Sequence, residues 1–352
     1  MRLSLLLAIT SFVSIACAQT ACNGDPSLCS KTYNEIAYIT THNAFGSIAN
    51  NPASNQHYDI VTQLTDGVRG LMLHAYATTT GNTTIELCHT YCGLLDAGPL
   101  TATLVKIKTW LEANPNEVVT IFLGNYVPFT PAQFAAAYAA SGINTLVWTQ
   151  PVGKPWPTLQ TMINANQRLV NFIDVGANYT VAPWLMAEYD FVFETPYDNQ
   201  TPASFVCTID RPTNPADPAS MMYVMNHFLY GVDTIGSLVV EIPQPGTANT
   251  TNSEASLGAE ATLCNSTFNR IPNFLAVDFY DEGQVFQVAA QLNGVPYVAK
   301  QLGTNQASST TGQPTSSGFS ISVSFGAAAK EKEIGWGLTA VMGILVLWVF
   351  MM

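Results

Sequence analysis

The stretch AYITTHNAFGS, residues 37–47, is an apolar run that ends abruptly in polar residues. The run begins at Ile36 and has the length of a buried strand, and Thr41, His42 and Asn43 end it together. In a parallel α/β barrel the chemistry is carried by residues at the carboxyl ends of strands. His42 is one of only five histidines in 352 residues, so this pattern predicts a functional histidine at the rim of such a barrel.

Apolar runs of strand length recur along the chain, and helical patterns separate several of them. The candidate strands are residues 36–40, 68–75, 85–89, 118–123, 168–174, 191–195 and 274–279. The helical patterns are residues 99–115, 131–142, 218–231 and 283–294. Strands that alternate with helices favour a parallel sheet. Residues 19–300 show no linker-like change in composition, so we predict one TIM-type (β/α)8 barrel with seven or eight recognisable strands.

The two ends of the chain indicate secretion and surface anchoring. Residues 1–18 combine a basic start, an apolar core and a small-residue cleavage site, which predicts a signal peptide. Residues 301–326 are rich in Ser, Thr and Gly, which is typical of a disordered stalk. Residues 327–352 end in an apolar run without a basic flank, which favours a GPI-attachment signal over a transmembrane helix. The attachment residue is expected at Gly326, with Ser317 as the alternative.

Six cysteines remain after removal of the signal peptide, and an even number in a secreted chain indicates disulfides. Six cysteines allow 15 pairings. We favour the sequence-local pairs Cys22–Cys29 and Cys88–Cys92, which leave Cys207–Cys264. Sequons for N-glycosylation occur at Asn82, Asn178, Asn199, Asn249 and Asn265. The formal net charge of −12 argues against a nucleic-acid partner, and we expect a monomer at the cell surface.

Polar residues occupy the predicted strand ends. They are His42, Asn43, His74, His89, Asn125, Asp174, Glu194, Asp278 and Asp281, and the second predicted strand also carries Arg69. Two histidines facing one pocket can act as base and acid on a phosphodiester with a neighbouring hydroxyl group. A carboxylate would orient the base, and a cation such as Arg69 would neutralise charge on phosphorus. Alternatively, Arg69 pairs with a carboxylate such as Glu194, and His74 is a packed core residue. His57 and His227 are expected on the surface or on helices.

Five motifs together resemble the X region of phosphatidylinositol-specific phospholipase C. They are THNAF, QLTDGVRGL, ELCHTYC, NPNEVVTIFL and PNFLAVDFY, and the likeness covers residues 22–294. It is greatest to the secreted fungal branch of PLC-like phosphodiesterases, which implies a distorted TIM barrel. By this resemblance His42 is the general base on an inositol hydroxyl and His89 the general acid to the leaving group. Asp278 is implied as the partner of His42, and Arg69 as a supporting residue.

The resemblance also bears on metal binding and on substrate contacts. Calcium-dependent family members carry acids where this chain has Met72, His74 and Gly124. Because a hard cation needs several oxygen ligands, we expect neither metal nor cofactor. Asn43, His74 and Glu194 are then expected to bind substrate, with His74 where metal-free bacterial members have an arginine.

The combined prediction is a metal-independent phosphodiesterase that cleaves a phosphoinositide- or glycolipid-type substrate through a cyclic phosphate. The alternative is an inactive barrel that binds the cell wall or lipid head groups.

Overall fold

A computed structural model describes residues 21–78, 84–235 and 238–304, and a curled sheet lies at its centre. The strands in chain order are β1 (Tyr38–Thr41), β2 (Gly70–Tyr76), β3 (Glu86–His89), β4 (Leu95–Pro99), β5 (Val119–Asn125), β6 (Leu169–Ile173), β7 (Leu185–Ala187), β8 (Val192–Glu194), β9 (Met222–Asn226), β10 (Tyr230–Ile235), β11 (Leu238–Pro243) and β12 (Phe274–Val277). The helices are α1 (Ile60–Asp66), α2 (Leu100–Ala113), α3 (Pro131–Ser141), α4 (Leu159–Asn164), α5 (Pro245–Thr251), α6 (Ala259–Phe268) and α7 (Val285–Asn293).

Within the described residues, eight of these strands form a parallel path in the order β7-β6-β5-β2-β1-β12-β9-β8. The two end strands, β7 and β8, follow each other in sequence and are not paired in this part of the chain. The sheet is therefore a curled, incompletely closed barrel with helices, and the predicted distorted α/β barrel is confirmed.

The inner face of the sheet is filled with large side chains. Tyr38, Phe122, Phe172 and Phe274 come from β1, β5, β6 and β12 and belong to one buried cluster. A second apolar cluster lies between the strands and the helices. Because the barrel interior is packed rather than hollow, the space for a ligand lies above these side chains, at the carboxyl ends of the strands.

Helix boundaries follow from local capping. Asp59 caps α1, and the helix stops at Gly67, whose φ of 109° suits a residue without a Cβ atom. Thr130 and Gln133 form a capping box around Pro131 at the start of α3. The helices α2, α3 and α7 lie within three of the four predicted helical patterns.

The fourth helical pattern, residues 218–231, was wrong. It contains β9, whose residues are all buried and pair with β8 and β12. A continuous apolar run matches a buried strand and a buried helix equally, so periodicity could not separate them. The run at residues 85–89 is a strand but not a parallel one: β3 pairs antiparallel with β2 and with β4.

Three disulfides join the cysteines of the described residues, namely Cys22–Cys29, Cys88–Cys92 and Cys207–Cys264. This is the favoured pairing.

The predicted glycosylation sites differ in exposure. Asn178, Asn249 and Asn265 are exposed. Asn199 is fully buried, and its amide donates to the carbonyl groups of Pro196 and Asn226, so glycosylation there is incompatible with the fold.

The predicted terminal segments fall mostly outside the described residues. The signal peptide, the chain from residue 305 onward and the sequon at Asn82 all lie outside them. Among the helices that the structure does describe, none has the length and hydropathy needed to cross a bilayer.

Candidate active site

The pairing of β1 with β12 determines the position of His42. Thr41 is in register with Val277, and the backbone N–H of His42 donates to the Val277 carbonyl at 3.0 Å. The chain then turns sharply at Asn43, which has a φ of 44°. His42 and Asp278 are thus the first residues beyond two adjacent parallel strands, and their side chains meet at the same edge of the sheet.

Asp278 orients the ring of His42. Its Oδ1 lies 3.0 Å from Nδ1 of His42, and both of its oxygens accept from Nδ2 of Asn55 at 3.0 and 3.1 Å. Because a carboxylate only accepts hydrogen bonds, Nδ1 of His42 carries the proton. The lone pair is then on Nε2, which is the arrangement of a general base.

Two further contacts restrain the His42 ring. Phe228 stacks on it with ring centroids 3.9 Å apart and an interplanar angle of 8°. The amide of Asn43 donates to Nε2 at 3.1 Å. The stack with Phe228 fixes the plane of the His42 ring. The Asn43 amide occupies the lone pair on Nε2 until another hydrogen-bond donor replaces this amide.

The β3–β4 hairpin carries His89. The disulfide Cys88–Cys92 flanks this residue, and Thr90 has a φ of 61°. Nδ1 of His89 donates to the carbonyl of Ala53 at 2.8 Å, which leaves Nε2 for proton exchange. The antiparallel hairpin, rather than a third barrel strand, therefore presents this histidine.

Burial lowers the pKa of His89, and the nearby His42 lowers it further, while the Ala53 carbonyl and Asp278 oppose this shift. The charges of His42 and Asp278 therefore act on His89, but His89 does not line the cavity beside His42. His89 is 6% exposed, and it becomes protonated only at a pH below the usual histidine range.

His42 also borders a small cavity of about 60 Å³ within the barrel mouth. Its other lining residues include Met72, His74, Gly124, Tyr126, Asp174, Glu188, Tyr189, Glu194, Tyr197, Arg211, Asn226 and Phe228. Burial, followed by the charges of His42, His89 and Arg211, holds the pKa of His74 well below its usual value. His74 is therefore neutral and supplies no positive charge to this cavity.

Arg211 is the cation that sequence reasoning missed. Its Nη2 bonds Oε2 of Glu194 at 2.7 Å, and its guanidinium lies 4.1 Å from the ring centroid of Tyr197. Arg211 comes from a loop without apolar periodicity, so the only signal in the sequence was an isolated arginine in a chain with few cations.

Arg69 does not fill its predicted role. It precedes β2, and the amino ends of parallel strands lie at the edge of the sheet opposite to His42. There its Nη2 pairs with Glu117 at 2.7 Å, and its guanidinium lies 4.9 Å from the ring centroid of Trp110. Arg69 therefore contacts neither Glu194 nor the cavity beside His42.

Other predicted strand-end residues have structural contacts. Asn125 accepts from the backbone N–H of Phe129 at 3.0 Å, and Asp174 accepts from that of Asn125 at 2.9 Å. His57 and Asp281 form a surface pair at 2.9 Å. These contacts shape the loops at the carboxyl end of the barrel.

The expectation for His227 was wrong. It lies directly after β9, is fully buried, and bonds Glu260 through Nδ1 and the Thr251 carbonyl through Nε2. Burial of an ionisable pair requires hydrogen bonds to both partners, so His227 has a structural role just beyond the carboxyl end of β9.

Potential metal ligands cluster elsewhere in the described residues. The groups of three such side chains are Cys88–Cys92–Asp96, Cys207–Glu260–Cys264 and His57–Asp281–Glu282. The four cysteines are in disulfides. Within the described chain, no such group of His, Cys, Asp and Glu side chains includes His42.

Comparisons with known proteins concern the family and the fold of the chain. Residues 28–293 match the family model described as PI-PLC X 1. An uncharacterized secreted protein of Arthroderma benhamiae is 38% identical over 80% of this chain and 66% of that protein. The chain therefore spans just under two thirds of that relative. A PI-PLC X domain-containing protein 1 from the same fungus is 33% identical, over 83% of this chain and 96% of that protein.

A solved structure shares the fold. A variant of phosphatidylinositol-specific phospholipase C from Staphylococcus aureus superposes with a TM-score of 0.51 at 14% identity, covering 74% of this chain and 94% of that one. At this identity the likeness concerns the fold alone. The match over residues 28–293 and the similar relatives establish that the chain belongs to the PI-PLC X family.

Proposed function

We propose that the protein is a metal-independent phosphodiesterase that cleaves a phosphoinositide- or glycolipid-type phosphodiester by internal transfer. The observation that supports this most is the His42–Asp278 pair at the barrel mouth, with His89 close enough to interact electrostatically. Two such histidines are what a reaction through a cyclic phosphate needs.

In the proposed reaction, Nε2 of His42 removes the proton from a hydroxyl group next to the phosphodiester. That oxygen attacks phosphorus, the bond from phosphorus to the leaving oxygen breaks, and Nε2 of His89 protonates the leaving alkoxide. The products are a cyclic phosphate and an alcohol. Asp278 stabilises the imidazolium that forms on His42.

The negative charge of the substrate's phosphate supports His89 as the general acid. Arg69 is at the other end of the barrel and His74 is neutral. A phosphate anion beside His89 would raise the pKa of this buried ring and favour its protonated form. Substrate binding itself would therefore prepare the acid.

The test is release of water-soluble phosphorylated product from phosphatidylinositol vesicles, a glycerophosphodiester and a GPI-linked substrate. The His42→Ala and His89→Ala variants should lose at least about a hundredfold in kcat, the usual scale of acid or base catalysis. His57→Ala is the matched control, because this exposed histidine also bonds an aspartate but does not line the cavity. Product release that is equal in all variants would refute the proposal.

One observation favours the alternative, a barrel that binds head groups without efficient turnover. Among the described cavity residues, Arg211 is the sole Lys or Arg, and Glu194 already pairs with it. Head-group binding by the purified protein, together with no histidine-dependent product from any of the three substrates, would support this alternative and exclude the enzyme.

We also propose that the protein is extracellular, monomeric and attached to the membrane by a GPI anchor near Gly326. The three disulfides and a relative named as a secreted protein support an extracellular location. Nitrous acid cleaves a GPI glycan but leaves a transmembrane helix intact. The treatment should move the cell-surface protein from the detergent phase to the aqueous phase, and retention in detergent would contradict the anchor.

A further inference from the structure

Asn55 is a buried residue of the loop between β1 and α1, and it lies beside the pair formed by Asp278 and His42. It is 2% exposed, and its Nδ2 donates to both carboxylate oxygens of Asp278 at 3.0 and 3.1 Å. The same atom lies 3.4 Å from Nδ1 of His42. Asn55 does not line the cavity beside His42, so an effect of its side chain on the reaction would pass through Asp278.

The amide of Asn55 is used from its donor side. Turning the amide over would place its carbonyl oxygen against the carboxylate oxygens of Asp278, and acceptors repel one another. With Nδ2 toward Asp278, Oδ1 of Asn55 is buried, and no donor among the described residues reaches it. A buried acceptor without a donor lowers stability. This polar side chain is therefore matched to Asp278 rather than to its other surroundings.

Backbone contacts hold Asn55 in place at the ends of two strands. Its carbonyl accepts from the N–H of Phe279 at 2.8 Å. The next residue, Gln56, donates from Nε2 to the carbonyl groups of His42 at 2.8 Å and Val277 at 3.1 Å. The loop is thus bonded to the residues that follow β1 and β12, so the amide of Asn55 has a fixed position beside them.

The same loop also contacts the second histidine. The carbonyl of Ala53 accepts from Nδ1 of His89 at 2.8 Å. Nδ2 of Asn51 donates to the Leu94 carbonyl at 2.8 Å, which ties the loop to the β3–β4 hairpin. Because a backbone carbonyl makes the contact with His89, a change in the Asn55 side chain leaves this contact in place. The tautomer of His89 therefore reports whether the loop itself has moved.

We propose that Asn55 is a positioning residue that acts on His42 through Asp278. Its Nδ2 holds the carboxylate beside Nδ1 of His42 and stabilises the negative charge. Asp278 then remains an acceptor for the Nδ1 proton, so the lone pair of His42 remains on Nε2. The inference rests on the proposed function for its kinetic measurement, whereas the tautomer of His42 can be measured without a substrate.

The first test is nitrogen NMR of the histidine rings in the purified chain. The signals of His42 and His89 are assigned by their loss in the alanine variants, and both neutral rings should carry the proton on Nδ1. Asn55→Asp keeps the shape of the side chain but places a second carboxyl group against Asp278, and two adjacent carboxyl groups share a proton. The Nε2-protonated form of His42 should therefore appear, while His89 is unchanged. Ser54→Ala, which removes side-chain bonds within the same loop, is the matched control.

The second test is steady-state product release from phosphatidylinositol vesicles. Asn55→Leu fills a similar volume without a donor, and loss of a hydrogen bond to a charged group should lower kcat by about tenfold. KM should stay within about threefold of the wild type, because Asn55 does not line the cavity. In the double variant Asn55→Leu/Asp278→Ala, kcat should stay within about threefold of that of Asp278→Ala, because residues that act through one another are not additive.

Four results would overturn the inference. They are a His42 ring that stays fully Nδ1-protonated in Asn55→Asp, a His89 tautomer that changes together with that of His42, an unchanged kcat in Asn55→Leu, and a double variant that loses about tenfold more than Asp278→Ala. Thermal unfolding checks each variant, and Asn55→Ala replaces one that does not fold. A wild type without histidine-dependent product would refute the proposed function alone, and the NMR measurement would still decide the role of Asn55.

Discussion

Asp278 affects His42 in two ways: its negative charge stabilises the imidazolium, and its hydrogen bond determines the tautomer of the ring. Two replacements of Asp278 separate these effects. Asp278→Ala removes the charge and leaves the ring free. Asp278→Asn keeps the shape but offers an amide. Because Asn55 donates to both carboxylate oxygens, the remaining oxygen of an asparagine would accept that bond, and its NH₂ group would face Nδ1 of His42. The proton would then move to Nε2, where the base needs a lone pair.

The expected magnitudes differ for the two variants. A hydrogen bond to a charged group is worth about 1.5–3 kcal/mol, and about 1.4 kcal/mol is a factor of ten in rate. Asp278 is 6% exposed, so solvent does not weaken the contact. Asp278→Ala should therefore lower kcat by about 10- to 100-fold. Asp278→Asn should lower it further, toward the roughly 10,000-fold loss that the wrong tautomer causes in a serine protease triad.

The assay is steady-state product release from phosphatidylinositol vesicles at several substrate concentrations. KM should change little, because Asp278 does not line the cavity beside His42. Asp281→Asn is the matched control, since Asp281 also bonds Nδ1 of a histidine, at 2.9 Å, but away from the site. If Asp278→Asn retained more activity than Asp278→Ala, or if Asp281→Asn lost as much, the tautomer argument would be refuted.

Three further predictions follow from other contacts of the described residues. The kcat/KM profile should fall as pH rises through the lowered pKa of His89; activity that keeps rising into the alkaline range would contradict His89 as the acid. Phe228→Leu keeps apolar volume but loses the stack on His42, so kcat should fall about two- to tenfold, whereas an unchanged kcat would make the stack irrelevant. His227→Ala leaves Glu260 buried without its partner, so urea unfolding should show a loss of about 3–5 kcal/mol; a change below about 1 kcal/mol would mean that the pair is not stabilising.

Sequence patterns were sufficient for the elements that local chemistry defines. Proline and glycine bound α3, and Cys22–Cys29 and Cys88–Cys92 are too close in sequence to require the fold for their pairing. His42 could be located because polar residues interrupt an apolar strand at its carboxyl end. In each case the residues that determine the feature lie within a few positions of one another, so the feature can be predicted without knowledge of distant contacts.

Sequence patterns gave the wrong type or direction of element where pairing with a strand distant in sequence determines it. The run around β9 is a strand because β8 and β12 bond it on both sides. Residues 86–89 are antiparallel because they return along β2. Hydrogen bonds between strands are made across long separations in sequence, and an apolar run alone does not reveal them.

The sequence by itself determined that a parallel barrel carries His42 at a strand end, and it pointed to His89 and Asp278. Only the tertiary structure decided which arginine lines the cavity beside His42. The sequence favoured Arg69 because it lies in an apolar run, but Arg69 precedes β2 and so lies at the opposite edge of the sheet, beside Glu117. Arg211 comes from a loop that returns to the barrel mouth, where it meets Glu194. The physical reason is that the direction of the strands assigns each side chain to one end of the barrel.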